Sequence, residues 1–432
     1  MMNRLRRSGF VLLMVLLLVV VQQQRAGAQS ASSWPRVHFE ADGRYLVVEF
    51  LDDDLVHFEA GSGNAPAADM AIAATPMVAQ TAYAGPTTFN DDGQGVLTTA
   101  ALQVMVDAQT LCTTVVDLTS DAPLTAVCPS DLEARKKSLA IDPQATQHVY
   151  GLGEKFRTPG EPNGDWVGGE REAGVYGNEM EPFADGAVGN AQFPIMYALG
   201  EGFDNYALFV DVLYKQEWEF VGESWTMTTL ADPLRWYLLS GPDLPDLRAD
   251  YLELTGPPPV PPKAMFGLWV SEYGFDDWAE LDDKRQTLDQ NQFPQDGFVL
   301  DLQWFGGIQI PSQMGSISWD EEHFPDPAAK IEQLRREEGL ELVVIEESYV
   351  DQGLSNFGRM ASQSYLVKEC EECGPATMRA WWGLGGMVDW TNEAAAAFWH
   401  DQNRQPLIEM GVLGHWTDLG EPEMFVPNSW YA

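Results

Sequence analysis

Three places in the sequence put carboxylates where a strand should end. Phe298-Val-Leu-Asp301 sets an acid directly after three apolar residues, a costly position for a charge unless something pairs or uses it. Leu340 to Ile345 reads as a buried strand followed by Glu346-Glu347, and His415-Trp-Thr-Asp418-Leu-Gly-Glu421-Pro-Glu423 carries three carboxylates with Gly420 and Pro422 turning the chain between them. Trp381, Trp382 and Trp416 accompany these acids. Carboxylates accept hydrogen bonds from sugar hydroxyls and do acid, base and nucleophilic work, while indole faces stack on the apolar faces of sugar rings. The chemistry that suits this set is glycoside recognition and glycosyl transfer. Asp418 stands out for it because of the aromatic residues around it; Glu346 and Glu347 read equally well as solvated strand-end acids.

Such acids meet only if the strand ends do. After Pro262 the pattern alternates: Met265 to Val270 reads as a strand, Trp278 to Gln290 as a helix, and Gly297 to Trp304 as a second strand. Pro327 to Glu338 is expected to be helical with Gly339 as its stop, Leu340 to Ile345 is a third strand, Asn392 to Met410 a helix and Gly411 to Asp418 a further strand. Alternation of this kind implies parallel strands joined by right-handed crossovers. In a (β/α)8 barrel built this way, polar residues at the C-terminal strand ends face the site. A complete barrel takes about 250 residues, whereas about 170 follow Pro262. The expectation for 263–432 is the first half of a (β/α)8 barrel, truncated.

Residues 29–255 read as an N-terminal β-sandwich domain. Tyr45–Phe50, Leu102–Val106, Cys112–Val116, Tyr206–Val210 and Trp225–Leu230 are rich in β-branched and aromatic residues and are separated by Gly, Asp, Asn and Pro clusters. Gly256-Pro-Pro-Pro-Val-Pro-Pro262 is a stiff linker, because its prolines remove backbone donors and hold the chain extended. The fold class is therefore multidomain, β followed by α/β.

Residues 1–28 carry three early arginines, an apolar run from Phe10 to Val21 and Ala26-Gly27-Ala28, the pattern of a cleaved signal peptide. A run of about 12 residues is too short to span a bilayer, so no membrane attachment is expected beyond it. The reading is a secreted or periplasmic protein. In that setting Cys112 and Cys128 are expected to pair, and Cys370-Glu-Glu-Cys373 reads as a loop disulfide ahead of a zinc or redox pair. A formal charge of -40 repels phosphate backbones and argues against nucleic acid as a partner.

At these residues the sequence resembles glycoside hydrolase family 31, the α-glucosidase and α-xylosidase group, in order from about His148 to Phe425. His148-Val-Tyr-Gly-Leu-Gly-Glu154 resembles the family's N-domain signature, and Pro261-Pro-Lys-Ala-Met-Phe-Gly-Leu-Trp269 with Ser271-Glu-Tyr-Gly-Phe275 its approach to the barrel. Phe293-Pro-Gln-Asp-Gly-Phe-Val-Leu-Asp301 is similar to the strand whose acid holds a substrate hydroxyl, and Val388-Asp-Trp-Thr-Asn392 precedes a helix in the family manner. His415-Trp-Thr-Asp-Leu-Gly-Glu-Pro422 resembles the nucleophile motif Trp-x-Asp-Met-Asn-Glu-Pro, with Leu419-Gly420 in place of Met-Asn.

The resemblance implies a retaining mechanism with Asp418 as nucleophile, Asp301 binding a sugar hydroxyl, and Tyr273, Trp382 and Trp416 shaping the subsite. Glu421 would support the loop. The family's acid/base Asp lies on a later strand, and is expected beyond Ala432. No metal or organic cofactor is implied, and the partner is an oligosaccharide or α-glucoside. Hydrolysis leads; an α-glucan transglycosylase, since both activities occur with the Leu-Gly form, and a non-catalytic carbohydrate-binding protein are the alternatives.

Overall fold

The structure is a computed structural model that describes residues 34–67, 74–155, 165–173, 181–183, 186–188, 190–191, 193–202, 205–420 and 422–432. Residues 1–33, with the expected signal peptide, lie outside the described residues, as does Glu421. The chain divides into two compact units, one of Met1–Val175 with Gln192–Gly256 and one of Tyr176–Ala191 with Pro257–Ala432.

The first unit is built on two antiparallel sheets. One runs in the order Arg36–Ala41, Arg44–Phe50, Leu55–Ser62, Leu234–Gly241, Asn205–Val210, Ile195–Leu199, His148–Gly151. The other has nine strands and includes Trp225–Leu230, Lys136–Asp142, Ala122–Ser130, Thr113–Asp117 and Leu102–Val106 as successive neighbours. In Leu102–Val106 every second residue is buried, as expected of a strand with one face to the core. Leu46, Phe58 and Trp236 of the first sheet share that core with Val104, Leu139 and Met227 of the second. Cys112, just before strand Thr113–Asp117, is bonded to Cys128 of the neighbouring strand Ala122–Ser130.

Asn205–Val210 is buried along its whole length, because the outer face of its sheet is also covered. The cover is a helix, Leu244–Thr255, where the sequence had suggested only strands. Asp243 caps it by accepting from the Asp246 amide, Pro245 sits in its first turn, and Gly256 ends it at φ 79°. Leu247 and Leu254 pack on Ala207, Phe209 and Tyr237.

The second unit is organised by a four-stranded parallel sheet, in the order Trp269–Glu272, Gly297–Leu300, Glu341–Glu347, Gly414–Asp418. The sheet is open, with the first and fourth strands at its edges. Helix Trp278–Gln290 has the expected bounds and starts at Asp277, whose side chain accepts from the Glu280 amide.

Elsewhere the elements shift for local reasons. Lys263–Phe266 forms a 3-10 turn, so the first strand starts at Trp269 instead of Met265. The second strand stops at Leu300, because the Asp301 carboxylate accepts from the Leu302 amide at 2.7 Å and turns the chain into a 3-10 helix, Leu302–Phe305. The expected helix 392–410 is two α segments, Glu393–Trp399 and Gln405–Met410, joined by a π turn over His400–Arg404. Pro406 lacks the amide that a continuous helix needs there.

Between the third and fourth parallel strands lies an unexpected antiparallel sheet, Tyr349–Asp351, Gly383–Met387 and Thr377–Ala380. Its middle strand reads Gly-Leu-Gly-Gly-Met, with little apolar signal. Glycine is required: a Cβ at Gly385 would lie 2.0 Å from the Val350 carbonyl oxygen. Cys370 and Cys373 are bonded in the preceding loop. No helix among the described residues is long and apolar enough to cross a membrane.

Candidate active site

Parallel register decides which acids meet. Glu347 pairs with Asp418 and Ile345 with Trp416 across the third and fourth strands. Because side chains alternate along a strand, Glu347, Ile345, Asp418 and Trp416 belong to one face of the sheet and Glu346 to the other. Asp301, directly after the second strand, completes the acidic group: burial and the Asp418 charge both raise its pKa, against the lowering effect of the Leu302 amide.

The two glutamates that end the third strand are both buried and differently supplied. Glu346 accepts from Trp399 Nε1 at 3.0 Å and from Arg404 Nε at 2.7 Å; it is a structural ion pair, neither a solvated strand-end acid nor a member of the site. Glu347 is 4% exposed, and its Oε2 is buried without a hydrogen-bond partner in the protein. Burial, followed by the charges of Asp418, Glu423 and Asp301, pushes its pKa up to about 8.

Asp418 is half-buried, and its Oδ1 accepts from the Leu419 amide at 3.0 Å. Leu419 itself has φ 49°, a left-handed conformation that costs a non-glycine residue on the order of 1 kcal/mol or more and is common at functional sites. Tyr349 anchors the loop beyond: its hydroxyl accepts from the Met424 amide at 2.9 Å and lies 3.2 Å from the Met424 carbonyl oxygen.

The aromatic residues sort by exposure. Trp416 presents part of its indole, at 38% exposed, and Tyr273, just after the first strand, is 63% exposed. Trp382 is buried, with its ring stacked on Tyr349 at 5.2 Å, so it supports Tyr349 and offers no open face. Its neighbour Trp381 is the open indole and donates from Nε1 to Glu423 at 2.8 Å. The structure thus brings Asp301, Asp418 and Trp416 together with Glu347. Glu347, Trp381 and Glu423 carried no assigned role in the sequence reading. Sequence alone could not single out Glu347 from Glu346, because the register that sets it level with Asp418 belongs to the sheet. Among the described residues no three His, Cys, Asp or Glu side chains converge as metal ligands.

With this geometry in view, comparison with known proteins gives a consistent answer. A family profile described as Glycosyl hydrolases family 31 TIM-barrel domain matches residues 258–431. The chain is 29% identical over 290 residues to Alpha-xylosidase XylQ of Lactiplantibacillus pentosus, covering 66% of this chain and 35% of that protein. It is 24% identical over 315 residues to an Alpha-glucosidase of Saccharolobus solfataricus, covering 71% of this chain and 42% of the other. The chain therefore spans less than half the length of these relatives.

Among solved structures, a mutant of the Flavobacterium johnsoniae GH31 dextranase complexed with isomaltotriose superposes with a TM-score of 0.74 at 18% identity, over 93% of this chain and 49% of that one. A GH31 alpha-xylosidase from a soil metagenome, complexed with xylose, gives 0.69 at 19% identity over 93% and 59%. At these identities the likeness is one of fold.

Proposed function

This chain is a member of glycosyl hydrolase family 31, and on that premise we propose that it acts as a retaining α-glycoside hydrolase on α-glucosides or related oligosaccharides. Asp418 is the nucleophile. Its carboxylate attacks the anomeric carbon, the bond to the leaving oxygen breaks, and a glycosyl ester forms on Asp418; water then attacks the same anomeric carbon, the bond to the Asp418 oxygen breaks, and the sugar is released with the carboxylate restored. A second carboxylic acid must protonate the leaving oxygen and later take the proton of water. Asp301 accepts a hydroxyl of the bound sugar, and Trp416 and Tyr273 supply apolar faces beside it.

The observation that carries this reading is the position of Asp418. It ends a parallel strand, lies in register with Glu347 and is felt electrostatically by Asp301, where active sites of such sheets are built. An α-glucan transglycosylase is the second reading, favoured by Leu419-Gly420 beside the nucleophile, which removes one polar side chain from the subsite. Two formed disulfides support export to an oxidising compartment.

The test is labelling with a 5-fluoro-α-glucosyl fluoride, which traps the glycosyl ester and departs without acid assistance. Mass spectrometry is expected to find the label on Asp418 and none in Asp418→Ala. A label on Glu423 or Glu347 instead would overturn the assignment.

A further inference from the structure

Glu347 has no part in the mechanism above, yet the fold goes to some lengths to place it. It is buried beside Asp418 on the same face of two hydrogen-bonded strands, and its Oε2 meets no donor. The charged groups that act on it come from three other elements, and all are acids: Asp418 on the fourth strand, Glu423 on the loop beyond it and Asp301 after the second strand. On its own strand the neighbouring acid, Glu346, points away to Arg404. A buried glutamate in register with a second carboxylate, with its own Oε2 meeting no donor and only acids acting on its charge, is stabilised by keeping its proton.

We infer that Glu347 is a positioning residue for Asp418: a neutral carboxylic acid whose retained proton lets its neighbour remain a carboxylate. Two carboxyls placed this closely resist losing both protons, so the more buried one keeps the proton and the more exposed one ionises. Glu347 is the more buried, and Asp418 accepts from the Leu419 amide, a contact that favours a carboxylate over a neutral acid. The neutral acid is then a hydrogen-bond donor beside the reacting carboxylate, able to fix its rotamer or to hold a sugar oxygen. The catalytic consequence rests on Asp418 being the nucleophile; the protonation of Glu347 does not.

The two parts separate in one experiment. Infrared titration of protein carrying carbon-13-labelled glutamate follows protonated glutamate directly. The wild type is expected to keep one glutamic acid signal through neutral pH and to lose it near pH 8. Glu347→Gln should lack that signal. Asp418→Asn, which removes the adjacent charge and leaves Glu347 in place, should move its midpoint down by about one pH unit, a tenfold change in proton affinity.

Labelling of Asp418 by the fluoro sugar is expected to slow above about pH 8 in the wild type and to stay level in Glu347→Gln, a difference that a purely structural role would not produce. A glutamate signal already lost below pH 5, or a midpoint unmoved in Asp418→Asn, overturns the inference even if Asp418 is labelled. An intact titration with no label on Asp418 overturns the nucleophile assignment alone.

Discussion

Each half of the molecule buries carboxylates, and each treats them differently. In the antiparallel half Glu49 accepts from Arg36 Nε at 2.6 Å and meets His57 Nδ1 at 2.7 Å, while Glu59 accepts from Tyr45 and Arg235. In the parallel half Asp301 and Glu347 are also buried, yet the charges that act on them are other acids. Sheet type does not explain the difference. Glu346 lies in the same parallel strand as Glu347 and is answered by Arg404 in the manner of Glu49. What separates the two is the side of the sheet: Glu346 turns to the helical segment that carries Arg404, whereas Glu347 shares its face with Asp418 and finds no donor for its Oε2. An unanswered buried acid costs stability, so its retention there points to chemistry, and a paired one points to architecture.

The contrast breaks most visibly at Asp418. Asp418→Ala is expected to lower turnover by on the order of 10⁴-fold or more, measured on an activated α-glucoside, while raising the melting temperature because Glu347 and Asp301 lose a like charge. A variant that keeps wild-type turnover would mean that Asp418 is not the nucleophile. Arg404→Met probes the other face of the same strand. It strips Glu346 of its cation and should destabilise by roughly 2–4 kcal/mol in urea unfolding, with catalysis by the folded fraction little changed. A neutral result would show that Glu346 is not held by its ion pair.

How far this division was legible in the sequence depends on the length of the signal. Trp278–Gln290 and the strands Leu102–Val106 and Trp225–Leu230 match their expected bounds, because period and caps agree there. Asp301 and Asp418 were legible as acids ending apolar runs. Glu346 and Glu347 were not separable, since Glu341–Glu347 is buried on both faces after its first residue and composition cannot say which side faces helices. The sheet at 349–387 escaped notice because its central strand is mostly glycine, chosen for close backbone approach and not for burial. Helix Leu244–Thr255 had its cap and proline in plain view, but its apolar stripe is confined to Leu247 and Leu254 with little else buried.

Two gentler substitutions sharpen the comparison through pH. Glu347 has a folded pKa raised to about 8, above its unfolded value near 4.3. Its neutral form stabilises the fold fully below the unfolded value, and that contribution is lost as pH rises toward 8. Glu347→Gln should therefore melt like the wild type at pH 4 and higher than it at pH 9; a constant offset across that range would exclude a titrating Glu347.

The smallest effect belongs to the antiparallel half, where one acidic group escapes the pairing rule. Burial and the charges of Asp54 and Asp246 push Asp250 up to about 7, and Asp54, raised by burial and Asp52, lies at about 6. Both lie above unfolded values near 3.9, so both favour the folded state in acid and lose that benefit as pH climbs to neutrality. Asp250 is only partly buried, and solvent screening reduces what its neutralisation can return. Asp250→Asn should gain roughly 0.5–1 kcal/mol at pH 8 and nothing at pH 4, with turnover unchanged. Because Asp250 lies on the helix that covers the antiparallel sheet and not at a strand end of the parallel sheet, a loss of turnover in Asp250→Asn would contradict the assignment of the reaction to acids of the parallel half alone.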